Sequence, residues 1–552
     1  MFTLRYGWTT WQDSCDSQPF SAGLQSLGFN STYVNALPSG GANIFPSLTF
    51  NEVEGVGGWG PGPIRWKGPY AINGALTKLV GNHSVKIGAD FRRLGVALAT
   101  ETALGGSFAF DRQFTALNGV GGNEVASLLL GLPTASTNSK APVNNGEGEW
   151  FTRYWGGYIQ DDWRVTSRFT LNYGLRLDHE DGLREIDNRQ TVGFDQNAVN
   201  PIDALVPKTG TLLGGKTLRG GLIYASVNGA NDYQGSPKKI KPAPRIGVTY
   251  ALDTNTVLRS GYGLYWAPWN YPPAGTGYGQ TGFARSTFLS QSSAESEVPK
   301  ATLDNPFPAG LLQPIGSSLG LLTGVGGQVD FIDQTKGSPK VHQYSADIQR
   351  QLPGGLAITI GYVGATGRDI GYGGVTDAII NINQIDPAVA RQLFPLGSGW
   401  DPTKLRESIA NPFFGIAQAG ELGTTPTIQR GQLLRPFPEF GDIYMHQTTA
   451  GSKRQYNALE LLVDKRLGGG HWWGGRYSYT YGRTMDNQFG ESSNYGRRTA
   501  TPQNNYDLGA EYSLSNFDSP HRAGANRPAA GSHGHAERDV RAGRRMERVG
   551  GR

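Results

Sequence analysis

Cysteine occurs once in 552 residues, at Cys15, which excludes an intrachain disulfide and any thiolate metal cluster. No apolar run approaches the roughly 20 residues of a transmembrane helix; the longest covers 126–132. With a mean hydropathy of -0.39, a helical membrane protein is excluded, whereas a barrel with polar loops and a polar lumen is not. Residues 1–8 lack the charged start and apolar core of an export signal; Phe2, Leu4, Tyr6 and Trp8 alternate instead as on one face of a strand. A basic body is lacking too. The eight arginines and three acids of 521–552 account for the whole net charge of +5, leaving 50 − 8 = 42 basic and 45 − 3 = 42 acidic groups in 1–520. A nucleic-acid surface is therefore not expected.

What the sequence has is alternation. Phe169, Leu171, Tyr173, Leu175 and Leu177 interleave with Thr170, Asn172, Gly174, Arg176 and Asp178, so a strand here carries one oily and one charged face. Ile87, Leu258 and Tyr479 sit in similar stretches. Five such strand pairs span about 70–92, 154–178, 244–266, 343–364 and 456–484, joined by short polar turns near 81–83, 165–168, 251–256, 351–355 and 468–475. Long Gly/Pro/Asn-rich segments separate the pairs, and Gly 80 in 552 is about twice the usual share of roughly 7%. An outer-membrane barrel sorts its connections in this way, with short turns at one rim and long loops at the other. Trp163, Phe169, Trp472, Trp473 and Tyr477 cluster beside the turns, as an interfacial girdle requires. A soluble β-sandwich or barrel gives the same alternation with the faces reversed.

The expected fold is all-β, an antiparallel meander forming part of a large transmembrane β-barrel with long extracellular loops. Leu171, Tyr173, Leu175, Ile87 and Leu258 should lie on its convex face, and all the short turns at one rim. Residues 1–520 are expected to form the partial barrel. Residues 521–552, which lose aromatics and alternation together, are expected to be a disordered basic tail, the product of out-of-frame translation.

The motifs of chemistry fail their structural requirements. Gly55-Val56-Gly57-Gly58-Trp59-Gly60 fits G-x-G-x-x-G, but Pro61-Gly62-Pro63 forbids the helix that a dinucleotide site needs. Asp161 and Asp162 are adjacent, so on a strand they point to opposite faces rather than toward one substrate. Asp178-His179-Glu180-Asp181 has oxygen ligands for a divalent cation but reads better as solvated loop charge. His533 and His535 lie in the suspect tail. No nucleophile elbow, zincin motif or P-loop is present; no enzyme, metal or cofactor is expected. Trp266, Trp269 and Tyr271 open a long segment; they suit either a stacking platform for a sugar or aromatic ligand or a membrane-interface girdle with a small loop core.

Several stretches resemble the β-barrel of TonB-dependent outer-membrane receptors, in particular the subgroup with a carboxypeptidase-regulatory-like domain before the plug. They include Tyr158-Ile159-Gln160-Asp161-Asp162-Trp163-Arg164-Val165 and Leu171-Asn172-Tyr173-Gly174-Leu175-Arg176-Leu177-Asp178, with 244–250, 256–263, 83–88, 305–308, 341–345, 362–364, 456–459 and 517–522 in family order. The resemblance implies an outer-membrane location, contact with outer-membrane lipid, and import of a scarce large solute, a small molecule or oligosaccharide, driven through the TonB complex. It also implies an export signal, a plug and closing strands, none of which is located in this chain. Such transporters have 22 strands, so the chain reads as an internal barrel fragment that neither inserts stably nor transports alone. A non-transporting surface barrel (adhesin or passive pore) and a soluble carbohydrate-binding β-protein remain open.

Overall fold

The computed structural model describes residues 1–13, 19–38, 40–57, 64–66, 70–99, 103–117, 120–136, 138–142, 147–267, 281–291, 298–372, 379–395, 401, 403–466, 474–489 and 501–526. Twelve strands run in chain order: β1 (Phe2–Trp8), β2 (Tyr70–Val80), β3 (His83–Ala99), β4 (Glu147–Arg164), β5 (Phe169–Glu180), β6 (Lys241–Ala251), β7 (Thr256–Trp266), β8 (Lys340–Leu352), β9 (Leu356–Arg368), β10 (Lys453–Lys465), β11 (Gly475–Asp486) and β12 (His521–Asn526). Each pairs antiparallel with its neighbours in sequence. With four short flanking strands they make a 16-stranded sheet. Among the described residues no strand pairs with the outer edge of β1 or β12, so this meander is open.

Consecutive antiparallel pairing puts alternate connections at opposite rims, and the short ones all fall together, at 81–82, 165–168, 252–255, 353–355 and 466–474. The β2–β3 turn needs only two residues because Gly81 takes φ 56, a conformation open to glycine and matched to the twist of a hairpin. Residues 467–473, including Trp472 and Trp473, lie outside the described residues. Two strands overrun their expected ends: β3 reaches Ala99, and β4 starts at Glu147. The overruns lie at the long-loop rim, where Arg184–Glu185 adds to β4.

The faces decide between membrane and soluble sheets. Ile87, Leu175 and Leu258 are 51%, 43% and 36% exposed, and they belong to a band that includes Leu76, Ile159, Tyr173, Ile246, Ile348, Ile360 and Leu459. A soluble sandwich would bury this face; a barrel in lipid displays it. Tyr70, Phe91 and Trp155 adjoin one another toward the loops, with ring centroids 5.8 and 4.1 Å apart. Trp163, Phe169 and Tyr250 lie toward the turns, where Phe169 and Tyr250 are 6.3 Å apart. Trp155 and Trp163 are eight residues apart on one face, about 26 Å along a strand, which suits a hydrocarbon band once tilt is allowed for. No helix among the described residues is long and apolar enough to cross a membrane; the strands cross instead.

The buried apolar cores are in the loops. One joins Phe194 and Leu222, from the β5–β6 connection, to Val329 and Phe331 of the β7–β8 connection and Phe413 and Phe440 of the β9–β10 connection. A second joins Leu24, Tyr33, Phe108 and Phe110 to Leu289 and Phe307. The β7–β8 connection thus contributes to both. Residues 521–526, assigned to the tail from sequence, pair with β11 as β12; backbone pairing there asks nothing of the apolar pattern. Residues 527–552 lie outside the described residues.

Leu175 faces outward between Ile159 and Pro244, whereas Asn172 faces the opposite way beside Asp162. In lipid–detergent mixed micelles Leu175→Arg should therefore destabilise by about 2–4 kcal/mol, and Asn172→Arg should stay within about 0.5 kcal/mol, as read by urea unfolding. Equal effects would contradict the assignment of faces.

Candidate functional site

The face opposite the apolar band is polar and concave. Residues of β3 to β10, from Arg92 to Tyr456, border one cavity of about 940 Å³. Eight strands laid flat would span about 34 Å, so a shared cavity requires the sheet to curl around it. Period-two alternation delivers Arg92, Tyr154, Tyr158, Arg176, Asp178 and Arg245 to this side, since in-register partners share a face.

Arg176 is the hub. Its guanidinium bonds to Asp90, Nε lies 2.7 Å from Asp178 Oδ1, and Nη2 donates to the Tyr154 hydroxyl at 2.7 Å. Tyr154 in turn donates to Asp178 Oδ1 at 2.6 Å. Arg92 reaches Asp90 at 3.2 Å and lies 5.0 Å over the Tyr154 ring. Toward the loops, Lys241 Nζ donates to Glu180 Oε2 at 3.1 Å, both side chains being almost fully buried. Arg245 stacks 4.4 Å over Tyr265. Asp90, Asp162, Asp178 and Glu180 thus match Arg92, Arg176, Lys241 and Arg245 in number. The wall therefore has no field of one sign; it offers crossed donors, acceptors and aromatic faces, which suits a polar, hydrogen-bonding solute better than a bare ion.

The acidic run 178–181 takes a different place from that expected of solvated loop charge. Asp178 and Glu180 belong to β5 and are buried, and each has its own cation. His179 points to the other face, 3.0 Å from Asp181. Among the described residues no group of three or more His, Cys, Asp and Glu could hold a metal. Asp161 and Asp162 do diverge. Asp162 borders the cavity, while Asp161 lies on the outward face, where His83 Nδ1 at 2.6 Å and the Tyr173 hydroxyl at 3.2 Å reach its carboxylate. Sequence alternation missed that shielded acid, although the adjacent His83 and Trp163, stacked at 5.1 Å, were visible in the sequence.

Trp266 ends β7 on the outward side, paired with Lys340. Its Nε1 donates to the Pro242 carbonyl at 2.7 Å, and Lys238 sits 5.1 Å from its ring. A tethered indole under lysines suits an interfacial anchor, and Trp266 also borders the cavity, so both readings of it stand. Trp269 and Tyr271 lie outside the described residues.

Residues 1–530 match the family described as the outer membrane beta barrel domain. The chain belongs to this family. No curated protein matches it in sequence. Among solved structures, this outer-membrane barrel chain is similar to the outer membrane transporter YddB from Escherichia coli, at 10% identity and TM-score 0.38, over 81% of this chain and 38% of that one. It is similar also to the ferric yersiniabactin uptake receptor FyuA from Yersinia pestis, at 8% identity and TM-score 0.32, over 77% and 36%. A third is the FrpB iron transporter from Neisseria meningitidis, at 10% identity and TM-score 0.30, over 77% and 36%. The chain spans less than two fifths of the length of these proteins.

In the loops of this outer-membrane barrel chain, Glu439 lies fully buried beside the Phe437 and Phe440 core. Burial pushes its pKa up to about 8, against the lowering influence of the backbone N–H groups of Glu439 and Arg219 and of the Lys216 charge. The folded state therefore keeps a proton that the unfolded chain releases near 4.5. This contribution to stability is present in full below 4.5 and is lost as pH rises through about 8. Thermal unfolding followed between pH 5 and 9 should show the loop assembly weakening across this window, and Glu439→Gln should flatten the curve. An unchanged curve would contradict a buried neutral acid.

Proposed function

We propose that this chain forms part of the wall and outer loops of a TonB-dependent outer-membrane transporter, not an enzyme. In the intact protein the loops and the polar concave face would capture a scarce, large, hydrogen-bonding solute, and the inner-membrane TonB complex would drive its passage. The observation that carries the reading is the cavity lined by the Arg176 network, on the inner side of a sheet whose outer side is apolar. A balanced set of charges and phenols fits an oligosaccharide, or a chelate carrying several polar groups, rather than one small ion. Coupling to TonB rests on the motif resemblance spread along 83–522. The outer edges of β1 and β12, unpaired among the described residues, support a larger barrel, because an unpaired strand edge in hydrocarbon leaves backbone groups that each cost several kcal/mol.

The test is solute uptake by source cells with and without the gene that encodes this barrel, across ferric chelates, corrinoids, oligosaccharides and peptides. One solute class should depend on the gene, and its uptake should stop when a protonophore collapses the inner-membrane gradient. Gene-dependent uptake that persists without the gradient would make the protein a passive pore. No gene-dependent uptake, with loss of surface attachment, would make it an adhesin.

A further inference from the structure

The polar side chains around the inner cavity fall into two tiers. In the tier nearer the loops every cation has its acid: Arg92 and Arg176 meet Asp90 and Asp178, and Lys241 meets Glu180. The next row toward the turns runs Gln160, Gly174, Arg245, Gly263 and Gln343, in unbroken register from β4 to β8. Here Arg245 is exposed, and among the described residues it has neither a carboxylate nor a hydrogen-bond partner. Of the described cations bordering the cavity, it alone stands unanswered.

A glycine holds that charge in place. Gly263 stands opposite Arg245, and a Cβ on it would come within 2.7 Å of the Tyr265 ring, so the ring lies against bare backbone there. Arg245 in turn stacks 4.4 Å over the ring. Stacking uses the face of a guanidinium and leaves the N–H groups in its plane for a bidentate acceptor. Gln160 and Gln343 stand two strands to either side, about 10 Å away, and each amide can both donate and accept. Asp162, exposed on β4 and also without a partner among the described residues, offers acceptors only.

We propose, building on the transporter reading above, that Arg245 anchors a carboxylate of the solute, which is an acidic oligosaccharide with a uronate ring seated between Gln160 and Gln343. A neutral saccharide would leave the guanidinium unanswered. A compact polyanionic chelate would meet a single free cation and be repelled by Asp162, whereas sugar hydroxyls donate to that carboxylate. An extended peptide repeats about every 7 Å, out of step with polar groups on alternate strands about 10 Å apart. Gly263 and Tyr265 act through Arg245, as positioning residues.

The full chain in mixed micelles should be titrated calorimetrically with a short oligouronide, its carboxyl-reduced neutral counterpart, a ferric catecholate and a tetrapeptide. The oligouronide should bind most tightly. Arg245→Gln should weaken it about 10- to 100-fold, the usual weight of a hydrogen bond to a charged group, and bring it level with the reduced sugar. Arg245→Lys keeps the charge without the planar fork and should recover only part of the loss. Gly263→Leu displaces the Tyr265 ring from under Arg245, so the oligouronide should weaken with the arginine intact. Lys86→Gln removes a cation of the same row, three strands away and not bordering the cavity; at that distance screening should hold its effect within about twofold. Heat-modifiable migration on gels reports the folding of each variant. If Arg245→Gln does not fold, the oligouronide against its reduced counterpart on the unaltered chain still decides the matter. Gradient-driven uptake in cells is a separate readout, so the transporter reading can survive failure of the anchor. Equal binding of the reduced sugar, no binding of the oligouronide, an acid preference that survives Arg245→Gln, or tighter binding of the chelate or the peptide would each overturn the proposal.

Discussion

Hydrocarbon offers no hydrogen bonds, so every backbone N–H and C=O within it must find a partner in the chain. The rest of this structure answers that constraint. Consecutive antiparallel strands pair across the sheet, from Phe2–Leu76 at one side to Arg476–Asn526 at the other. Because the partner of each strand is its neighbour in sequence, the connections sort into a short-turn rim and a long-loop rim. Because the solvent outside is oily and the inside is wet, the usual arrangement of faces inverts: Ile87, Leu175 and Leu258 look outward, and Arg92, Arg176 and Arg245 look inward.

That inversion moves the hydrophobic cores elsewhere. Strands that show their apolar side to lipid have nothing to bury against one another, whereas the long connections lie in water and must fold as soluble structure does. They do so by pooling residues: Phe194 meets Phe331 at 5.7 Å and Phe437 at 5.3 Å, three segments supplying one cluster. The same pooling leaves Glu439 neutral among aromatics. The loops therefore form a packed layer at the long-loop rim, with a buried acid inside it.

Much of the barrel was readable from sequence, because period-two alternation is a local signal and the lipid boundary enforces it. The run 169–178 alone gave the direction of every side chain in β5 up to Asp178. The loop cores were not readable: Phe194 and Phe437 lie in segments with no common period, and nothing local pairs them. Nor was β12, since His521-Arg522-Ala523-Gly524-Ala525-Asn526 carries little apolar contrast and is held by backbone pairing to β11. In the polar face, alternation put Arg176 and Asp178 inside but could not show that Asp90, 86 residues away, completes their network. The placing of Arg245 opposite Gly263 was hidden for the same reason, because register between strands is a tertiary fact.

The central claim is that one face of this sheet meets lipid and the other meets water. It is tested most directly by depth-dependent quenching. In a Cys15→Ser background, single cysteines at positions 87, 175, 258 and 348 and at 172, 176, 245 and 343 would carry an environment-sensitive fluorophore in mixed micelles of brominated lipid. The first four should be quenched by bromine and the second four only by aqueous iodide. Quenching of both sets by the same agent, or the reverse pattern, would contradict the account.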